Sequence, residues 1–378
     1  MIYFDNAATT AMSEAALQAL IEVSKNQYGN PSSVYSYGRK TKELLEEARR
    51  IVADCIGAAP EEIFFTSCGT ESDNWAINQA IVGKKKVITS QIEHHAVLRP
   101  VQQCEKFGIS TSYIPVDNKC IVYQGKLKES LDGSAALVSV MLQNNETGVI
   151  QHIQELAKLV HEDNKQSIFH TDAVQAVGHI PIDVKKLGVD MLSASAHKFN
   201  GPKGVGFLYI TKNCQVNPFV LGGGQEKGMR SGTENVACIY AMAKALEDNV
   251  NNMEINCNHI RLLEKMFLTS LSNEDVSYVV NADGNQRATG IINISIKGID
   301  GEGLLNMLDM HDICISVGSA CNTQSKNRSH VLRAMGMDDK QIDASVRISM
   351  GRYNSEDDVK KLVKCIKKYY KVMTLIEA

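Results

Sequence analysis

At 378 residues, with 44% apolar and 22% charged residues and only seven prolines, the composition is that of a folded two-domain protein and excludes a disordered chain. A formal net charge of −3 offers no field for nucleic acid or an anionic membrane, and no apolar run nears the ~20 residues that span a bilayer. The opening "MIYFDNAATT" shows no basic leader and reads as cytoplasmic, while ten cysteines without a C-x-x-C pair speak against a disulfide framework or a metal site.

In chain order, short β-branched runs alternate with helical patterns through the first two thirds. The predicted strands are "EIFFTS" (62–67), "KVITS" (86–90), "STSYIP" (110–115), "ALVSVML" (136–142), "SIFHTD" (167–172), "DMLSAS" (190–195) and "GVGFLYI" (204–210). Helical stretches between them include Thr70 to Ile81, Ala96 to Phe107 and Ile153 to Asp163. Runs that are apolar on both faces need helices on each side, so the pattern predicts an α/β domain on a mostly parallel seven-stranded sheet. From about residue 234 a long helical run ends near Leu271. Then come "SYVVN", "GIINISI", a helix from Gly301 to Met310, "ICISV", "SVRISM" and a closing helix from Ser355, a smaller α+β pattern. The expected division is 14–250 for the large domain, and 1–13 with 251–378 for the small one.

Four local patterns fall where predicted strands end, which is where open α/β sheets bind ligands. In "TSCGTES", Gly69 permits a tight turn and Thr70 opens a helix whose N-terminal end suits a phosphate. In "HTDAVQAVG", Asp172 follows a strand and is placed either to cap a helix or to keep a pyridine nitrogen protonated, with Gln175 within reach of the same ligand. In "SAHKFNGPKG", Lys198 is either a surface lysine before a Gly-Pro turn or an amine held to form a Schiff base, with Ser195 and His197 beside it as phosphate donors. In "IEHHAV", His94 starts a helix and is either a cap or a ring-stacking proton shuttle; the pattern does not settle which of His94 and His95 points inward. Together these patterns supply what pyridoxal 5′-phosphate (PLP) needs.

The chain resembles the group I cysteine desulfurases of the NifS/IscS type, PLP enzymes of fold type I. The likeness runs in order through "YFDNAATT", "YGNPSSVYSYGR", "FFTSCGTESDN", "NNETGVIQ", "HTDAVQAVG", "SAHKFNGPKGVG", "GGGQEKGMRSGTEN", "VGSAC" and "SVRISMGR", and covers nearly the whole length. It implies that Lys198 bonds to the cofactor aldehyde, His94 stacks on the ring, Asp172 pairs with its nitrogen and Gln175 approaches its hydroxyl. Gly69, Thr70, Ser195 and His197 would surround the phosphate, and Asn145 and Arg347 would bind the substrate carboxylate. Thr233 would reach the phosphate of a partner subunit, which implies a homodimer.

The resemblance also implies that Cys321 is the nucleophile, taking sulfur from L-cysteine as a persulfide, releasing L-alanine and passing the sulfur to an acceptor protein. Cys321 lies in a run of Gly, Ser, Asn and Lys, where a loop is expected and a thiol can be reached. Most other cysteines are expected as small buried hydrophobes, Cys314 as core and Cys68 as packing. The acceptor is expected to be an iron–sulfur scaffold or a tRNA-thiolation enzyme. Two features depart from the family: "NTQSKNRSHV" after Cys321 lacks the usual Ser-rich, Glu-Pro-containing loop, and the closing "KVMTLIEA" is short. Readings weighed beside this one are a selenocysteine lyase, another fold type I aminotransferase and, outside catalysis, a sulfur carrier or iron–sulfur scaffold.

Overall fold

The computed structural model describes residues 1–83, 85–284, 287–318 and 328–377. The chain opens with β1 (Ile2–Tyr3), α1 (Glu14–Asn26) and α2 (Ser36–Ile56). Ser13 starts α1 by accepting from the Ala16 N–H, and Gly57, at φ +72°, ends α2 in the left-handed conformation that glycine tolerates best.

Strands and helices then alternate: β2 (Ile63–Thr66), α3 (Gly69–Gly83), β3 (Lys86–Ser90), α4 (His95–Lys106), β4 (Thr111–Ile114), α5 (Gln124–Ser130) and β5 (Ala135–Ser139). They continue as α6 (Ile153–Asp163), β6 (Ile168–Asp172), α7 (Val184–Leu187), β7 (Met191–Ser195) and β8 (Gly206–Ile210). These strands form the expected seven-stranded sheet, in the order β2-β8-β7-β6-β5-β3-β4. Strand β8 runs against both its neighbours and the other pairs are parallel. Apolar side chains of α3 and α4, among them Trp75, Ile77, Val97 and Val101, form cores with the sheet, and Ala16, Leu45, Val52 and Leu156 of α1, α2 and α6 join a separate, larger one. The two-sided burial explains why the strands read as continuous apolar runs.

The helical run expected to Leu271 is two helices, α8 (Val236–Asn251) and α9 (Met253–Asn273). Asn252 separates them because its amide turns back onto the backbone and side chain of Asp248, both at 2.9 Å. Beyond them lie β9 (Tyr278–Val280), β10 (Ile291–Ile296), α10 (Gly301–Asp309), β11 (Ile313–Cys314), α11 (His330–Ala334), α12 (Asp339–Asp343), β12 (Ser345–Ser349) and α13 (Glu356–Glu377). A second core joins Phe4, Leu263 and Phe267 of α9, Ile292 and Ile294 of β10, and Val359 and Leu362 of α13. The chain start belongs to this core, since β1 pairs in parallel with β11.

Among the described residues only Cys104 and Cys120 are buried cysteines; seven others are half-buried, which corrects the expectation that most would be core. Cys314 sits half-buried in β11, and Cys68 lines a cavity. No helix of the described chain is long and apolar enough to cross a membrane.

Candidate active site

The ends of β6 and β7, the start of α3, the turn before α4 and the chain's opening segment converge on a cavity of about 220 Å³. Its lining brings together ten of the predicted site residues: Gly69, Thr70, His94, Asn145, Asp172, Gln175, Ser195, His197, Lys198 and Arg347. Thr233 is exposed and lies outside that lining. Cys321 lies outside the described residues.

Lys198 ends a single helical turn after β7. Its ammonium donates to the carbonyls of Ala7 (2.6 Å) and Ala8 (2.9 Å), and Gln175 Nε2 donates to the same Ala7 carbonyl at 2.8 Å. The segment "DNAATT" is laced to "SAHKFN": the Thr10 hydroxyl and N–H both donate to His197 O at 2.9 Å, and His197 Nδ1 lies 3.1 Å from Thr9 Oγ1. Positioning the lysine is thus a task of the chain start, a role that small residues carry in their backbone and that no side-chain motif announces.

Asp172 closes β6 and is almost fully buried, with Oδ1 accepting from the Val174 N–H at 2.9 Å. Burial pushes its carboxyl up to about 6, against the pull of the Val174 N–H and of Lys198. Above that pH it is a carboxylate facing the cavity. His94 settles the question left open by the pattern: it lines the cavity, whereas the His95 ring packs against His330 at 5.0 Å. His94 Nδ1 accepts from the Ala96 N–H at 3.1 Å, so its ring proton sits on Nε2. Burial, with Lys198 next, pushes this imidazole down to about 4 and keeps it neutral. His197 is likewise pushed down to about 4.

Gly69 has a reason other than the expected turn. A Cβ there would stand 2.6 Å from Val174 Cγ2 and 3.4 Å from Ser195 Cβ, so only glycine lets the start of α3 close on the ends of β6 and β7. Gly69→Ala is expected to cost about 1–3 kcal/mol of stability by overpacking and to weaken cofactor binding; unfolding and cofactor titration measure both, and an unchanged pair of values would reject this account.

Arg347, on β12, is buried and already engaged: Nη1 donates to Asn145 O at 2.9 Å and Nη2 to Asp5 Oδ1 at 2.8 Å. Its Nε has no partner among the described residues. Asn145 contributes its carbonyl to that arrangement. Sequence reasoning missed Asp5 as the ion-pair partner, Ala7 and Ala8 as lysine acceptors, and Asp73, which also lines the cavity. An acid one turn into α3, on the face that carries Ala76, Ile77 and Ala80 into the core, was the available signal for Asp73.

The family model for aminotransferase class-V matches residues 2–362. The chain belongs to this family. The cysteine desulfurase IscS of Dictyoglomus turgidum is 42% identical over 362 residues, which are 95% of this chain and 91% of that protein. A solved NifS-like protein matches with a TM-score of 0.92 at 36% identity, over 98% of this chain and 99% of its own. SspA in complex with cysteine matches at 0.82 and 29%, over 94% and 100% respectively.

Class-V aminotransferases of this kind are PLP enzymes of fold type I, and the cavity fits that cofactor. A lysine amine, a buried carboxylate, a neutral imidazole and hydroxyl donors line one space, and the close approach at Gly69 shapes one wall of it. In this class-V enzyme Lys198 would hold the aldehyde carbon, Asp172 the ring nitrogen, His94 the ring face, and Thr70, Ser195 and His197 the phosphate. Among the described residues no group of three or more metal-ligating side chains is placed to hold a metal ion.

Proposed function

We propose that this chain is a PLP-dependent cysteine desulfurase that moves sulfur from L-cysteine onto Cys321 and releases L-alanine. The observation that carries the reading is the meeting of Lys198, Asp172 and His94 on one cavity in a chain of this family. The overall change balances without an external electron donor: the Cys321 thiol becomes a persulfide, and the substrate exchanges its C–S bond for a C–H bond.

When bound, PLP supplies an aldehyde that bonds to amines and a ring that takes up the electrons released at the substrate's α-carbon. Lys198 Nζ, steered by the Ala7 and Ala8 carbonyls, takes the α-proton. Asp172 stays ionised at neutral pH and so favours a protonated ring nitrogen. His94, neutral and with its proton on Nε2, can donate that proton or stack without adding a charge. The test is direct: purified protein incubated with L-cysteine should yield L-alanine and a protein-bound persulfide in equal first-turnover amounts. Amino transfer to a keto acid, with no persulfide, would favour the aminotransferase reading instead.

Arg347 is the proposed anchor of the substrate carboxylate, with Asn145 beside it. Its planar fork suits a carboxylate, and Asp5 holds that fork until substrate enters. Arg347→Leu should raise KM by on the order of 10- to 100-fold, as loss of a charge-assisted hydrogen bond does, and should cost about 3 kcal/mol of stability because Asp5 loses its partner. Asp5→Asn should leave KM equal or lower; a large rise in KM there would place the carboxylate elsewhere.

Further parts of the proposal are a homodimer in which Thr233 completes the partner's phosphate site, an acceptor protein for the persulfide sulfur, and a division at 14–250 against 1–13 with 251–378. The core that joins Phe4 to residues 260–366 supports the division, while Val331, Leu332, Met335 and Ile342 pack into the larger core of the first part. The exposure of Thr233 supports its turning outward. Sulfur acceptors are of two chemical kinds, a cluster scaffold or a tRNA-thiolation enzyme.

A further inference from the structure

We propose that Asp73 is a positioning acid of this site: it keeps a proton in the folded protein, so that Asp172 is the ionised carboxylate of the pair facing the cavity. The inference rests on the PLP reading for its purpose, but its physical content concerns the protein alone.

Asp73 projects from α3 toward the sheet, is 1% exposed and lines the same cavity as Asp172. Its Oδ1 has no hydrogen-bond partner among the described residues, which is costly for a buried carboxylate and much less so for a buried acid. The nearest titratable ring is His170 on β6, whose Nε2 stands 3.6 Å from Asp73 Oδ1. That imidazole is fully buried between the hydroxyls of Ser139 (2.8 Å) and Ser193 (2.9 Å). Burial pushes it down to about 3, so it brings no positive charge. The other groups acting on Asp73 are Asp172 at the end of β6, Glu93 before α4 and Cys68 before α3, all of which oppose a negative charge.

Two neighbouring carboxyl groups in a buried site cannot both ionise at low cost, so one proton stays. Its place follows from the partners. Asp172 has the Val174 N–H and the Lys198 charge to favour its anion, whereas Asp73 has the Ser193 hydroxyl alone as a stabilising group. Burial and then Asp172 hold Asp73 well above the ordinary carboxylate range.

The sign of the stability effect is fixed. Between the unfolded acid constant of Asp and its higher folded one, the native protein holds a proton that the unfolded chain has lost, so stability falls as pH rises through that window. Apoprotein carrying Asp73→Asn, an isosteric neutral group, should therefore gain stability relative to wild type as pH climbs from 4 to 8, with little gain at the acid end. Infrared spectroscopy of the wild-type apoprotein at pH 7 should show protonated-carboxyl absorption from two sources, Asp73 and Glu93, the latter pushed up to about 8. D73N should remove one part of it.

Should D73N fail to fold, Asp172→Asn serves: losing that neighbour should lower the pH at which the Asp73 absorption disappears. A wild-type apoprotein with no Asp73 absorption at pH 7, or a D73N stability difference that does not change with pH, would overturn the proposal. Colourless protein that never binds PLP would defeat the functional reading and leave these apoprotein results standing.

Discussion

Replacing Lys198 by alanine should lower L-cysteine turnover by about 10⁴-fold, the upper range for loss of a positioned general base. The same change should abolish covalent attachment of PLP. Two functions should fall together, because in the proposed mechanism one amine both anchors the cofactor and moves the substrate's α-proton. The fold should survive. Lys198 is half-buried and its ammonium serves two backbone carbonyls, so the structural cost is that of a pair of hydrogen bonds, about 1–3 kcal/mol.

Lys198→Arg separates charge from chemistry: it can keep the donors to Ala7 and Ala8 but cannot lose its proton at working pH. Stability near wild type with turnover as low as in the alanine variant is the expected result. Reduction followed by peptide mass mapping should find PLP on the Lys198 peptide of the wild type and nowhere in either variant. Turnover of Lys198→Ala within about tenfold of wild type, a barrier change near 1.4 kcal/mol, would place the base elsewhere.

The sheet was legible because burial on both faces writes itself as runs of apolar residues. β3 and α6 lie where "KVITS" and the Ile153–Asp163 pattern put them. Where the pattern overreached, backbone pairing was the missing information. "ICISV" reads as five strand residues, yet only Ile313 and Cys314 find β1, and Ser316 turns to bridge Arg347. The stretch before residue 60 holds α1 and α2, although Ser13 and Gly57 marked the ends of that helical region.

At the site, residues whose chemistry lies in the side chain were readable: Lys198, Asp172, His94 and Arg347. Residues that work through backbone carbonyls, such as Ala7 and Ala8, carry no such mark. Nor does a partnership across the chain. Arg347 and Asp5 are 342 positions apart and meet only because β1 and β12 are brought together in one core. Asp73 shows the same limit, since an acid in the sequence does not reveal that its neighbours are other acids.

Cys321→Ala should abolish persulfide formation and lower turnover by about 10⁴-fold or more, the scale on which enzymes lose a covalent nucleophile, while the bound-PLP spectrum persists. The rest of the chain sharpens this expectation. Burial pushes the thiols of Cys55, Cys120 and Cys214 up to about 12, and raises those of Cys104, Cys238 and Cys314 as well, so these six are poor thiolates at neutral pH. Cys68 is the rival with a structural claim, because it lines the same cavity as Lys198, beside Gly69, and is half-buried.

The two thiols are told apart by a pair of variants. Cys68→Ala should retain turnover within about threefold, since a small residue can pack there and the rate change corresponds to well under one kcal/mol. It should also retain the persulfide, which peptide mapping should place on Cys321. The reverse pattern, an active Cys321→Ala beside a dead Cys68→Ala, would move the nucleophile to the start of α3.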